Sequence, residues 1–214
     1  MATRRALRVR ALHLLMKTSH LEFLGTQGSS LQLHQSASAA ETLNPMSGER
    51  ASEQDLTALE IQLGRPARDV HQVSYRCPCG NPAVIETPPR LSDGTPFPTF
   101  YYATCPNLTA AISTLENSNL MEDMNKRLAT DAELAGEYHA AHDDYIAARS
   151  ALGIDVPEVA GISAGGMPER VKCLHSLIAH SLSVGPGVNP LGDEALAKVG
   201  EWWRNGNCLE RRES

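Results

Sequence analysis

Three cysteines between residues 70 and 106 constrain the fold more than any other feature of this 214-residue chain. Cys77 and Cys79 stand one residue apart, and Cys105 comes at the end of the same stretch. One intervening residue keeps the Cα atoms of the first two within about 7 Å, so both sulfurs can reach one ion. The stretch is therefore predicted to fold around a thiolate metal site.

Three short runs in this stretch have the composition of β-strands, namely residues 70–75, 83–87 and 99–104. They are rich in β-branched and aromatic side chains and are separated by turn signals. If they pair as an antiparallel meander, the cysteines at their ends meet at one edge of the sheet.

Outside the sheet the pattern is helical, and we predict an α+β fold in which a small three-stranded antiparallel sheet packs with about five helices. The helices are predicted from apolar spacing and capping residues. They comprise one capped by Ser52, one or two between Leu108 and Leu128, one capped by Asp131, one from Pro168 to Ser183, and one capped by Asp193.

A closed zinc site needs a fourth ligand. The candidates on the predicted Pro168 helix are Cys173, His175 and His180, with Cys208 in reserve. On a regular helix Cys173 and His175 point about 160° apart, and His180 lies about 10 Å further along the axis, so neither histidine is expected to share an ion with Cys173. The expected metal ligands are Cys77, Cys79, Cys105 and Cys173. The alternative for Cys173 is a small buried apolar residue.

The metal is open. Four thiolates suit zinc and equally suit an iron–sulfur cluster. Zinc is favoured because no ferredoxin-like run of cysteines occurs. A redox-active pair formed by Cys77 and Cys79 is a third interpretation.

The N-terminal region differs from the rest. Residues 1–45 carry five basic and two acidic residues, which leaves a net charge of −9 for the remainder. We expect residues 1–48 to be a disordered tail or a misassigned extension before a true start at Met46, with a targeting peptide as the alternative. Residues 49–214 are expected to form a single α+β domain.

The acidic remainder argues against nucleic acid as a partner, because phosphate binding relies on clustered Lys and Arg. No apolar run approaches the length of a membrane span. An odd number of cysteines without a convincing signal peptide favours a reducing cytoplasm over a disulfide framework.

Two further patterns have a functional and a plain interpretation. The loop at Gly165 and Gly166, followed by Arg170 and Lys172, could bind an anion, although it lacks the ending of a nucleotide-binding loop and a plain loop is favoured.

A second metal site at His139, His142 and Asp143 is less favoured than a solvated helix face. Trp202 and Trp203 are expected to be core or interface anchors.

Six motifs appear in order: Tyr75–Gly80, Asp93–Thr99, Thr104–Pro106, Gly165–Pro168, Val171–His175 and Gly185–Pro190. Together they resemble the bacterial family known as domain of unknown function 501, over the chain from about Leu56 onward. The resemblance implies a cytoplasmic bacterial protein, often encoded near a septum-formation initiator and an exopolyphosphatase. It implies no catalytic residues.

The leading hypothesis is a metal-stapled interaction or regulatory module that acts through an unidentified protein partner. The first alternative is a zinc enzyme in which water completes a three-cysteine site. There His175 or His180 would move a proton, and the Gly165–Gly166 loop would hold a small anionic or phosphorylated substrate. The second alternative is an iron–sulfur or thiol redox protein.

Overall fold

The computed structural model describes residues 48–210, so the predicted N-terminal tail lies outside the described residues except for its last position. The first helix, α1, spans Glu53–Leu63. Ser52 and Asp55 form the predicted capping box, in which each side chain accepts a hydrogen bond from the backbone N–H of the other. Gly64, with φ 67°, ends the helix in the left-handed conformation.

The predicted three-stranded antiparallel meander is confirmed. It consists of β1 (Gln72–Arg76), β2 (Pro82–Glu86) and β3 (Tyr101–Ala103), with β2 in the centre. Every residue of β2 is buried. The turn between β1 and β2 contains Cys77 and Cys79, and Cys105 follows β3, so the cysteines lie next to one end of the sheet.

The rest of the described chain is helical, which confirms the α+β class. Among residues 48–210 there are six α-helices where about five were predicted, and two short 3₁₀ segments. After α1 the helices are α2 (Pro106–Glu116), α3 (Leu120–Thr130), α4 (Ala132–Ser150), α5 (Leu174–Val184) and α6 (Pro190–Val199). Asp131 caps α4 as predicted. None of the described helices is both long and apolar enough to span a membrane.

Helix α5 is the central packing element. It lies against all three strands and against α6. The contact with α6 is close at Gly192, where a Cβ atom would come within 2.5 Å of the Leu177 carbonyl oxygen. Next to α5, where its ring contacts His180, Tyr145 of α4 accepts through its buried hydroxyl a hydrogen bond of 2.6 Å from the Phe100 backbone N–H. These contacts fix the start of β3 and the axis of α5.

The predicted start of α5 at Pro168 was wrong. The helix begins at Leu174, and Cys173 is its N-cap in an extended conformation with φ −152°. The segment before it folds back on Gly165, whose carbonyl oxygen accepts hydrogen bonds from the N–H groups of Lys172 and Cys173 at 2.7 and 3.3 Å. These tertiary hydrogen bonds take the place of helical ones.

The last predicted helix also differs. Helix α6 is capped by Asn189, whose side chain accepts from the Gly192 N–H, because Pro190 is suited to the first helical position. It ends before Gly200, and the two tryptophans lie in a separate 3₁₀ turn, Trp202–Asn205. The predicted cap, Asp193, lies inside α6 and accepts a hydrogen bond from the Gly187 N–H.

Candidate metal centre

Three thiols from opposite ends of the described chain converge next to the sheet. The sulfur atoms of Cys77, Cys79 and Cys208 all lie within 4.8 Å of one another. The Cys79 and Cys208 sulfurs are 3.4 Å apart. Sulfurs on a tetrahedral zinc ion stand about 3.8 Å apart, so this spacing fits a shared ion.

A fourth cysteine, Cys105, lies next to these three thiols. It is fully buried at the N-cap of α2 and is near enough to Cys77 and Cys208 to shift the pKa of both thiols, but its sulfur is not one of those that all lie within 4.8 Å of one another. The structure therefore brings three sulfurs together, from the β1–β2 turn and the C-terminal segment, and Cys105 lies beside them at the start of α2. A shared metal ion on Cys77, Cys79 and Cys105 stays a prediction.

Contacts with α1 stabilise the turn that contains Cys77 and Cys79. The Arg76 guanidinium donates to the Gly80 carbonyl oxygen at 3.1 Å and to both carboxylate oxygens of Asp55 at 2.6 and 2.9 Å. Gly80, with φ 90°, lets the chain reverse into β2. Arg76 thus couples the capping box of α1 to the position of the two thiols.

The C-terminal segment is docked by its own contacts. Trp202 is buried against the core. The Asn81 side-chain amide donates to Asn207 Oδ1 at 3.0 Å, and that of Asn107 donates to the Gly206 carbonyl oxygen at 3.1 Å. These contacts bring Cys208 to the other thiols and bury it.

Two side-chain amides donate to the sulfurs from outside the cluster. Gln62 Nε2 lies 3.3 Å from the Cys208 sulfur, and Asn81 Nδ2 lies 3.4 Å from the Cys79 sulfur. Outer hydrogen bonds of this kind orient metal ligands and stabilise their charged form. These hydrogen bonds are consistent with sulfurs that accept them as thiolates.

The pKa values of two thiols in the cluster are shifted in opposite directions. Hydrogen bonds from Cys105 and Cys77 hold the pKa of the Cys208 thiol well below its usual range. Hydrogen bonding with Cys105 and Cys208, together with burial, raises the pKa of Cys77. A bound cation would replace these shared protons, since thiols bind metals as thiolates.

Cys173, expected as the fourth thiolate, lies in a different group. Its sulfur is within 4.8 Å of ligand atoms of Glu116 and His175, and these three residues form a second cluster. Cys208, the reserve residue, lies with Cys77 and Cys79 instead. The 160° argument against Cys173 and His175 sharing a partner fails, because Cys173 lies outside the regular helix.

Electrostatic coupling is strong in the second cluster. The hydrogen bond with Cys173 raises the pKa of His175 to about 9, against the opposing effect of burial and with support from Glu116. Burial raises the pKa of Cys173, but hydrogen bonds with His175 and the Ser176 N–H outweigh it and lower the pKa. Glu116 was missed in the sequence, where only its place at the end of a helix distinguished it.

The other three histidines considered in the sequence, His139, His142 and His180, have separate partners. His180 is fully buried, with Nε2 2.8 Å from an Asp144 carboxylate oxygen and its ring stacked on Tyr101. His142 lies 2.8 Å from the Ser163 hydroxyl, whereas His139 is exposed beside Asp143 on a helix face.

The Gly165–Gly166 loop lines a cavity of about 450 Å³ together with Arg170, Lys172 and Cys173. Gly166 has φ 96°, and a Cβ there would come within 2.5 Å of the Arg170 carbonyl oxygen. The loop therefore requires glycine, and the cavity opens beside the second cluster.

Comparison with known proteins identifies the family. The model of a family described as "Protein of unknown function (DUF501)" matches residues 73–197, which is more than half of the chain. The chain belongs to the DUF501 family. The DUF501 match includes both clusters except for Cys208, which lies beyond its end. Neither the curated proteins nor the solved structures gave a match.

Proposed function

We propose that this DUF501 protein is a metal-stapled module in which Cys77, Cys79, Cys105 and Cys208 bind one zinc ion. In this proposal the ion has a structural role and holds the C-terminal segment against the sheet. The protein then acts through a partner, as an interaction or regulatory module. The observation that carries the proposal is the 3.4 Å contact between Cys79 and Cys208.

The donor set supports a closed site. Four thiolates complete a tetrahedral zinc ion and leave no position for water. The sulfurs of Cys77 and Cys105 are buried, and amide donors approach those of Cys79 and Cys208. A set of four thiols, three of them buried, would keep protons without a cation, and a zinc ion displaces these protons with a gain in folding free energy.

The enzyme alternative fits this cluster less well. It requires water at the fourth position, which Cys208 fills in this proposal, and a proton-transferring histidine nearby. His175 instead belongs to the cluster with Cys173, and His180 is buried beside Asp144. An iron–sulfur cluster suits four thiolates as well as zinc does, and metal analysis distinguishes the two.

Elemental analysis and an absorption spectrum of anaerobically purified protein test the proposal. We expect zinc and a spectrum without iron–sulfur bands. Removal of the metal by a chelator should lower the melting temperature, because the energy of binding contributes to folding. Iron with sulfide would select the iron–sulfur alternative, and a metal-free protein with an unchanged melting temperature would refute the structural role.

A further inference from the structure

The second cluster joins the end of one helix to the start of another. Glu116 is the last residue of α2, Cys173 is the N-cap of α5, and His175 lies in the first turn of α5. His175 Nδ1 lies 3.2 Å from Glu116 Oε1, and the Cys173 sulfur is within 4.8 Å of the ligand atoms of both. A thiol, an imidazole and a carboxylate thus converge from two elements.

A purely structural role accounts for only part of this arrangement. Glu116 Oε1 accepts a hydrogen bond of 2.6 Å from the Leu174 N–H and so caps α5. A carboxylate has about four lone-pair sites, so this bond leaves others available. Capping also needs no thiol and no imidazole beside the carboxylate.

The geometry also differs from that of a nucleophile–imidazole–carboxylate relay. In such a relay the nucleophile and the carboxylate bind opposite nitrogens of the ring. Here the Cys173 sulfur and a Glu116 oxygen lie within 4.8 Å of each other, too close for the ring of His175 to stand between them. All three ligand atoms instead surround one point.

We propose that Glu116, Cys173 and His175 bind a second divalent cation, with zinc as the best match to this mixed set of donors. Ligand atoms on tetrahedral zinc stand roughly 3.2–3.8 Å apart, and the contact between His175 and Glu116 already has that spacing. The cation also neutralises a thiolate and a carboxylate that would otherwise repel each other.

An outer contact orients the imidazole. His175 Nε2 lies 3.5 Å from the Ser113 hydroxyl, on the ring nitrogen that does not face Glu116. Histidine ligands commonly use their second nitrogen in this way, which fixes the tautomer for metal binding at the first. Ser113 and Glu116 both belong to α2, so one helix supplies a ligand and a supporting group.

Three protein ligands leave the fourth position of the ion for water or a ligand, as in catalytic rather than structural zinc sites. Cys173 lines the 450 Å³ cavity, so this position is accessible from it. Arg170 and Lys172 line the same cavity with one acidic residue, Glu169. The surplus of positive charge favours a small anionic ligand.

Cobalt titration of the purified metal-free chain tests the site. We expect two equivalents of tightly bound Co²⁺ in the parent and one in each of Cys173→Ser, His175→Ala and Glu116→Gln. Glu116→Gln keeps an oxygen for the Leu174 N–H and so separates the charge of Glu116 from its capping role. His139→Ala and Glu122→Gln are matched controls on exposed helix faces and should keep both equivalents.

The outcome is independent of the four-thiol site. Loss of one equivalent in Cys208→Ser, with none lost in the three second-cluster variants, would overturn this inference and leave the thiolate staple standing. Loss of one equivalent in each second-cluster variant, with none lost in Cys208→Ser, would support the second site and refute the four-thiol site. Circular dichroism identifies variants that do not fold, and the three second-cluster substitutions leave the four-thiol site intact.

Inorganic phosphate then probes the class of ligand. Added phosphate should change the absorption of the cobalt protein in the parent and leave that of Cys173→Ser unchanged. Arg170→Ala should weaken the response several-fold. An unchanged parent spectrum at saturating phosphate would overturn the anionic-ligand assignment.

Discussion

The sulfurs of Cys79 and Cys208 lie 3.4 Å apart although 129 residues separate them in the chain. This contact ties the C-terminal segment to the turn between β1 and β2. Separate polar and apolar contacts dock the C-terminal segment and so bring the two residues together. The thiol cluster and the packing of this segment therefore depend on each other.

The first prediction concerns the anchor of that segment. Trp202→Ala should lower the free energy of unfolding by about 3–5 kcal/mol, as expected for a large buried aromatic side chain. It should also weaken metal binding at the four-thiol site, because Cys208 loses its support. Chemical denaturation and a competitive zinc titration measure the two effects.

The matched variant is Trp202→Phe. Among the described residues, the Trp202 Nε1 atom is buried without a hydrogen-bond partner. Phe retains most of the apolar contact and removes this unpaired donor, so it should bind metal nearly as the parent does. Equal metal affinity in Trp202→Ala and the parent would show that the segment does not depend on this anchor.

The second prediction is a pH dependence at α1. The hydrogen bond from Arg76 holds the pKa of the Asp55 carboxyl well below its usual range. A carboxyl with a lowered folded-state pKa contributes stability above its unfolded pKa of about 3.9 and loses it as the pH falls further. Asp55→Asn should cost about 1–3 kcal/mol at neutral pH, since it breaks a charged hydrogen bond.

Denaturation curves of the parent and Asp55→Asn across pH test this. Their difference in free energy of unfolding should shrink below about pH 4, where Asp55 begins to be protonated in the unfolded state. Asp143→Asn, at an exposed position, is the control and should differ little from the parent. A difference that persists unchanged into strong acid would contradict the role of the charge.

The third prediction concerns the crossing of α5 and α6. A methyl group at Gly192 would overlap the Leu177 carbonyl oxygen, so Gly192→Ala should destabilise the protein by about 1–3 kcal/mol. At Gly136 in α4 an added methyl group would meet no atom within 4 Å, and Gly136→Ala should be neutral or stabilising by up to about 1 kcal/mol. Thermal melts of the two variants check this, and equal melting temperatures would contradict it.

Much of the fold follows from local patterns. The Ser52–Asp55 capping box, the stop at Gly64 and the Asp131 cap each require only residues within one or two turns. The strands were recognisable because their side chains suit a pleated, buried surface. For this reason the sheet, the bounds of α1 and the start of α4 could be predicted.

The ligand sets depend on contacts that are distant in sequence. The start of α5 is set by hydrogen bonds from Lys172 and Cys173 to Gly165, and without them Pro168 looks like a helix start. Once α5 begins at Leu174, Cys173 turns toward Glu116 and His175. Cys208 was assigned to a frayed end because the docking of Asn207 on Asn81 leaves no local signal.

Metal content of Cys208→Ser beside Cys173→Ser tests the central claim most directly, since the two cysteines exchange roles between the sequence-based and the structural assignment. The account predicts that Cys208→Ser loses the ion whose cobalt derivative has four sulfur ligands, while Cys173→Ser retains it. Retention of that four-sulfur spectrum in Cys208→Ser, or its loss in Cys173→Ser, would contradict the account.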